Sequence, residues 1–349
     1  MQTTVDHAGA LGTNLKGDLY VDASGKDGAY KTISAAVAAA KPGQTIVVAP
    51  GDYHEQIDIN KSVTLLGETG ATIDGAGLKH WIMGQHASDV TIKGFKFTNC
   101  DSPDYQGGIQ IDNGKNWTIE GNDISGAHGA GVGASSSSDI KVIGNHLHDN
   151  GQEGFMFGRV TNLDIEENEV DHNNTRHFDT SAEAGAGKFS NCDNSTFANN
   201  IVHDNIGNGI WGDINDNNSL LYHNWSYGNT QSGIVYEISH NAKILDNAVW
   251  DNGTQMKGLK QGIGAGIYVN ESSDTLVQGN TLVNNGNGIS VLQSNRGPQW
   301  NNVHGDHIIG NTVIGGPDSV HGIGFYSMLD GSIFQSRSDN YGKDNRFYG

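Results

Sequence analysis

Residues 119–150 read IEGNDISGAHGAGVGASSSSDIKVIGNHLHDN, and the motif that opens this stretch closes it again. IEGNDIS (Ile119–Ser125) returns as VIGNHLH (Val142–His148), as ILDNAVW (Ile244–Trp250) and as VQGNTLV (Val277–Val283). The asparagines at the centre of the motif are Asn122, Asn145, Asn168, Asn200, Asn224, Asn247, Asn280 and Asn311, at successive spacings of 23, 23, 32, 24, 23, 33 and 31. A unit of about 23 residues with no helical period inside it, and with β-branched residues beside each Asn, marks a solenoid of short strands and tight turns. The chain therefore reads as all-β, a right-handed parallel β-helix. A polar side chain at the same turn of every coil can stack on its neighbours and satisfy backbone groups that the turn leaves unpaired, so the Asn row is structural and carries no chemistry.

Working outward, one periodicity over most of 349 residues predicts a single β-helix domain spanning 1–349, with coils over 61–315. Residues 17–60 differ. The Ala-rich run Ile33 to Ala40, with Thr32 or Ser34 as N-cap and Pro42-Gly43 to stop it, predicts one short helix that covers the first coil, since an open end would expose core and strand edges. Residues 316–349 lose the repeat and are expected to wrap the other end. Twenty Lys and Arg against 39 Asp and Glu give a net charge of −19, which excludes nucleic acid and anionic membrane surfaces as partners on electrostatic grounds. The same acidity suits an extracellular protein and offers possible Ca²⁺ ligands, although no cofactor is required. Cys100 and Cys192 are too few for a disulfide framework and are expected to be free thiols. No apolar run reaches the length of a membrane span, and Met1 to Lys16 lacks the apolar core of a signal peptide. The chain is thus expected to start at a mature secreted N-terminus, or with Met1 in place of an export signal, and to be a monomer.

Each coil begins a strand at a glycine, among them Gly154, Gly209, Gly233, Gly266 and Gly288. The distance from the ladder Asn to this Gly is nine residues in regular coils, but nineteen from Asn168 and from Asn247. Both ten-residue insertions, Thr175–Ala184 and Thr254–Ile263, fall at the same corner of the coil, so they are expected to rise as two walls of a cleft. Alternation sends the residue after each Gly into the core and the next one out. Asp213 and Glu237 then share one outward site on adjacent coils, about 5 Å apart, continued by Asn270. Two carboxylates that close push one pKa up and leave the other ionised, the requirement for cleaving a glycosidic bond, at a separation that suits the retaining geometry. Trp211 and Tyr268 occupy the neighbouring outward column, where aromatic faces could carry sugar rings. Counting back from Asn200 starts the preceding strand at Ala186 and brings Lys188 beside the carboxylates, to bind substrate, to keep the nucleophile ionised or to act as a base. Asp216, just past the strand, and Glu183, at the end of the first insertion, are further candidates, and His177 and His240 could reach the cleft. The histidines of HLHDN, EVDHN and IVHDN sit in the turn motif and read as structural. The acidic charge and the shortage of arginine in the cleft favour neutral glycans.

The strings AGKFSN (Ala186–Asn191), NGIWGDI (Asn208–Ile214) and SGIVYEISHNAKILDN (Ser232–Asn247) resemble the parallel β-helix glycoside hydrolases, most closely the β-xylosidases of glycoside hydrolase family 120. The resemblance covers about residues 185–250. It implies Asp213 as nucleophile and Glu237 as acid/base of a retaining mechanism, with Ile214 standing where that family has an aromatic residue and Asn241-Ala242 where it has Gly-Pro. KPGQTIVVAPGDYHE (Lys41–Glu55) is similar to the start of many pectate-lyase-like secreted β-helix proteins, which speaks to fold and not to activity. Two alternatives stay open. One is a Ca²⁺-dependent polysaccharide lyase with Lys188 as base and Asp213, Asp216 and Glu237 around the metal. The other is a non-catalytic carbohydrate-binding solenoid. Mannuronan epimerases share this fold, but their Asp-Pro-His motif is absent here.

Overall fold

The computed structural model describes residues 15–256, 263–297, 303–315, 322–328 and 339–349. Its internal contacts divide between Met1–Arg176 and His177–Gly349. In each unit the strands form three sheets, and every successive pair within a sheet is parallel. This is the parallel β-helix expected from the repeat.

In Met1–Arg176 the expected helix is present as Ile33–Ala39, with Ile33, Ala36 and Val37 buried. Thr32 is its N-cap and accepts from the Ala35 amide, while the two carboxylate oxygens of Glu55 take the Ile33 and Ser34 amides at 2.7 and 2.8 Å. An anion at the positive end of a helix satisfies donors that the helix itself leaves open. Cys100 lies buried and unbridged in this unit, and burial pushes its thiol up to about 12; Cys192, equally buried and unbridged, lies in the other.

In His177–Gly349 the third sheet contains Gly185–Ser190, Asn208–Asp213, Ile234–Glu237, Ala265–Asn270, Asn287–Gln293 and Ile323–Ser327. Its inward side is a column in which Ile210, Ile234, Ile267, Ile289 and Ile323 follow one another in register. Stacked β-branched side chains pack like on like and fix register, because a slip of one residue would turn the whole column outward. Past residue 315 the repeat continues: Ile323–Ser327, Tyr341–Lys343 and Arg346–Tyr348 each pair with the strand of the preceding coil. The described part of 316–349 is thus one more coil and not a wrap; residues 316–321 and 329–338 lie outside the described residues.

The asparagine row is buried and connected. Asn247 donates through Nδ2 to the Leu221 carbonyl and to Asn280 Oδ1, both at 2.9 Å, while its own Oδ1 accepts the amide and Nδ2 of Asn224. The residue before each ladder Asn, Gly121, Gly144, Glu167, Asn199, His223, Asp246, Gly279 and Gly310, has positive φ, which makes the tight turn. A second row of the same kind runs five residues later through Asn205, Asn229, Asn252 and Asn285. It carries the opposite corner of the same short strand.

Candidate active site

The outward side of the third sheet in His177–Gly349 collects the charged groups. Register pairs Lys188 with Trp211, Asp213 with Glu237, and Glu237 with Asn270. Neighbouring strands stand about 4.8 Å apart, so the Asp213 and Glu237 carboxyls project from adjacent rungs of one ladder. Both are almost shut off from solvent, at 6% and 5% exposure. Buried carboxylates need compensating charge or hydrogen bonds, and here each has its own cation. Lys188 Nζ reaches Asp213 Oδ2 at 2.7 Å, and Arg296 Nη2 donates to Glu237 Oε1. Asn270 Nδ2 adds a hydrogen bond to the same Glu237 oxygen at 2.8 Å.

The surroundings of Glu237 also act on its proton. Burial, and then the neighbouring charge of Asp213, raise the Glu237 carboxyl above the ordinary glutamate range, and Arg296, Lys188 and Asn270 offset only part of that. Glu237 therefore holds a proton more readily than an ordinary glutamate. Asp213 instead faces an ammonium on one oxygen, while its Oδ1 is buried with no hydrogen-bond partner among the described residues. Trp211 Nε1 and Asn270 Oδ1 are open in the same way.

Lys188 is held from three sides. Nζ donates to the Ala182 carbonyl at 2.7 Å as well as to Asp213, and it lies 3.9 Å from the centroid of the Trp211 ring. Ala182 belongs to the first insertion, and Thr180 of the same segment accepts from Gln231 Nε2 at 2.6 Å. Within residues 177–184 the insertion thus touches the carboxylate floor through Lys188. Of the second, Thr254–Met256 is a short 3-10 turn, and residues 257–262 lie outside the described residues.

Several expectations need correction. Trp211 points outward but is only 4% exposed, and one face is taken by Lys188, so it is not an open platform for a sugar. Tyr268 is half-buried, and burial together with Glu237 pushes its phenol upward. Asp216 is fully buried in the turn after the strand, where Oδ1 accepts the Cys192 amide at 2.8 Å, and burial raises its carboxyl well above the usual range. It is a rung of a turn ladder that continues through Ser239 and Ser272, not part of the floor. His240 has an exposed side chain, and its backbone carbonyl accepts from Tyr236 Oη. Glu183 is half-buried on the insertion, its amide bonded to the Asp179 carbonyl. His177 lies at the other end of that segment, with φ of 57°.

Arg296 escaped the sequence reading altogether. It follows the strand Asn287–Gln293 in a segment outside the repeat, and its side chain is 49% exposed while its guanidinium reaches Glu237. Glu271, buried one residue past Asn270, accepts from Ser294 Oγ at 2.9 Å and anchors the root of that segment. Two hollows in the described surface, beside Val313 and Phe347 and around Asp18 to Tyr30, contain no buried carboxylate. The chemistry gathers at the paired acids.

The family described as right handed beta helix region matches residues 57–188 and 180–345. No curated protein matches the sequence. Among solved structures, the A-module of the Azotobacter vinelandii mannuronan C-5 epimerase AlgE6 aligns with a TM-score of 0.67 at 17% identity, covering 90% of this chain and 88% of its own. XylC, in a complex with xylose, aligns with a TM-score of 0.62 at 12% identity over 93% of this chain and 86% of its own. PfbA, a surface adhesin of Streptococcus pneumoniae, aligns with a TM-score of 0.59 at 14% identity over 91% and 85%. At such identities the likeness is one of fold.

Proposed function

The chain belongs to the right-handed β-helix family, and on that scaffold we propose that the Asp213 and Glu237 pair makes it a glycoside hydrolase that cleaves a poly- or oligosaccharide with retention. The observation that carries this is the pair itself: two buried carboxyls on adjacent rungs, one ion-paired to an ammonium and the other biased toward its protonated form. Rung spacing of about 4.8 Å approaches the roughly 5–5.5 Å that a retaining mechanism uses. Glu237 donates its proton to the departing glycosidic oxygen as Asp213 attacks the anomeric carbon. In the second half-reaction Glu237 takes a proton from water, which then displaces Asp213. Lys188 balances the charge of Asp213, and Asn270 and Arg296 hold the orientation of the Glu237 carboxyl. Carbohydrate as the substrate class has support from the fold neighbours, among them a mannuronan C-5 epimerase and XylC in its complex with xylose.

One observation favours the lyase reading: Arg296 places a half-exposed guanidinium where a uronate carboxylate could dock. The remainder of that reading fits less well. A base lysine needs a free lone pair, whereas Lys188 donates to Asp213 and Ala182. A Ca²⁺ site from Asp213, Asp216 and Glu237 would set the ion against the Lys188 ammonium and the Arg296 guanidinium, which already hold one oxygen of Asp213 and one of Glu237, while Asp216 is fully buried in the turn. The test is mass spectrometry of products from wild type and Asp213→Ala on neutral and uronate glycans, with and without EDTA. Products that gain one water, persist in EDTA and vanish in the variant support the hydrolase. Unsaturated products short of that water sink it in favour of the lyase, and no product on any glycan leaves binding alone.

A further inference from the structure

In Met1–Arg176 the outward side of the second sheet carries a histidine and carboxylate cluster remote in sequence from the paired acids. His146 and His148 flank the buried Leu147 on the strand His146–His148, so both imidazoles emerge on one face, their rings stacked with centroids 4.0 Å apart. Register places Asp123 and Glu169 on either side of His146, and Asp171 beside His148. The contacts cross diagonally: His148 Nε2 meets Asp123 Oδ1 at 3.2 Å, and His146 Nε2 meets Asp171 Oδ1 at 2.6 Å, with Glu169 Oε2 at 4.0 Å. One donor atom from each of Asp123, His146 and His148 falls within 4.8 Å of the others, as does one from each of His146, Glu169 and Asp171.

We propose that His146 and His148, with Asp123 and Asp171, bind one divalent transition-metal ion, zinc by preference. Donors around a tetrahedral zinc with bonds of about 2.0–2.1 Å stand roughly 3.3 Å apart; His148–Asp123 at 3.2 Å matches that value and His146–Asp171 at 2.6 Å lies below it. A histidine, one core residue and a second histidine on a strand form a natural chelate, which a small rotation of each ring closes on an ion. The outer contacts are those a ligating histidine uses: Asp149 Oδ2 takes His148 Nδ1 at 2.7 Å, which leaves Nε2 for the metal, and the second oxygen of Asp171 meets His172 Nδ1. Imidazole nitrogen selects zinc, copper or nickel over calcium. Because the four ligands come from three consecutive coils, the ion ties those coils together and stabilises the folded chain.

The experiment is calorimetric titration of zinc chloride into untagged, EDTA-stripped full-length protein, with a zinc-edge absorption spectrum of the loaded wild type. Expected are one equivalent bound with a Kd of about 10 µM or tighter, imidazole scattering in the spectrum, a raised thermal midpoint, and no competition from calcium. His146→Gln with His148→Gln should weaken binding at least about tenfold. Asp171→Asn, which keeps the shape of the cluster, should weaken it too. Absent binding by the wild type, a spectrum without imidazole, or undiminished binding by folded variants would each overturn the site.

Discussion

Two sets of buried polar side chains in His177–Gly349 behave in opposite ways. The asparagine rungs at Asn224, Asn247 and Asn280 are neutral, and each satisfies the next through amide and carbonyl groups of matching geometry. The acids on the outward side of the third sheet are also buried, yet they sit in charge pairs, with Asp213 Oδ1, Trp211 Nε1 and Asn270 Oδ1 unmatched among the described residues. A fully satisfied ladder specifies a fold and has nothing left to offer a ligand. A partly satisfied cluster costs stability, and its open valences and shifted Glu237 are what a reacting site requires.

The sharpest way to break this contrast is Asp213→Ala, which should cut kcat by about 10⁴-fold or more on whichever glycan is cleaved. Retained activity would make the acids another structural cluster. Glu237→Gln comes next, with an expected loss of about 10²–10⁴-fold, and azide or a substrate with a good leaving group should restore part of it. Lys188→Met tests the charge pairing through stability. With side chains only 15% and 8% exposed, Lys188 and Asp213 form a pair whose one-sided removal costs about 3–5 kcal/mol, visible in a urea midpoint and relieved by adding Asp213→Asn. Asn247→Ala should cost about 1–3 kcal/mol by stranding the Asn224 amide and the Leu221 carbonyl, and should leave turnover at native conditions unchanged.

The smallest effect concerns pH. Protonated Glu237 is the acid, so the rate should hold below its raised pKa and fall as pH climbs through it. Arg296→Gln removes a cation that lowers that value, so the alkaline limb should move to higher pH. Stability follows the same sign. The native state keeps a proton that the unfolded chain releases near 4.5, so this contribution is complete below that pH and disappears as pH rises through the folded value. A limb that stays in place in Arg296→Gln would detach Arg296 from the acid.

What could be read in advance follows the repeat. Asp213 and Glu237 lie 24 residues apart at equal distance from their strand glycines, and Lys188 needed only a count back from Asn200, so side-chain alternation delivered all three. The second asparagine row stood in plain view, five residues after the first, and no reading of the first required it. Arg296 follows no period, because the segment that holds it lies in the long interval between Asn280 and Asn311 and its position depends on the loop. Alternation also tells which way Trp211 points and nothing about what lies over it. Asp216 stands just past the strand as read, but beyond the last alternating residue the turn decides orientation, and its side chain is buried there.

Finally, each unit holds one thiol, Cys100 in the first and Cys192 in the second, both buried and unbridged. A reagent that attacks only exposed sulfur can touch either one only when the strands around it part. The chain thus contains two built-in clocks, one for the breathing of each half. Equal labelling rates at the two sulfurs would report a molecule that opens in one event, and unequal rates would say which half lets go first.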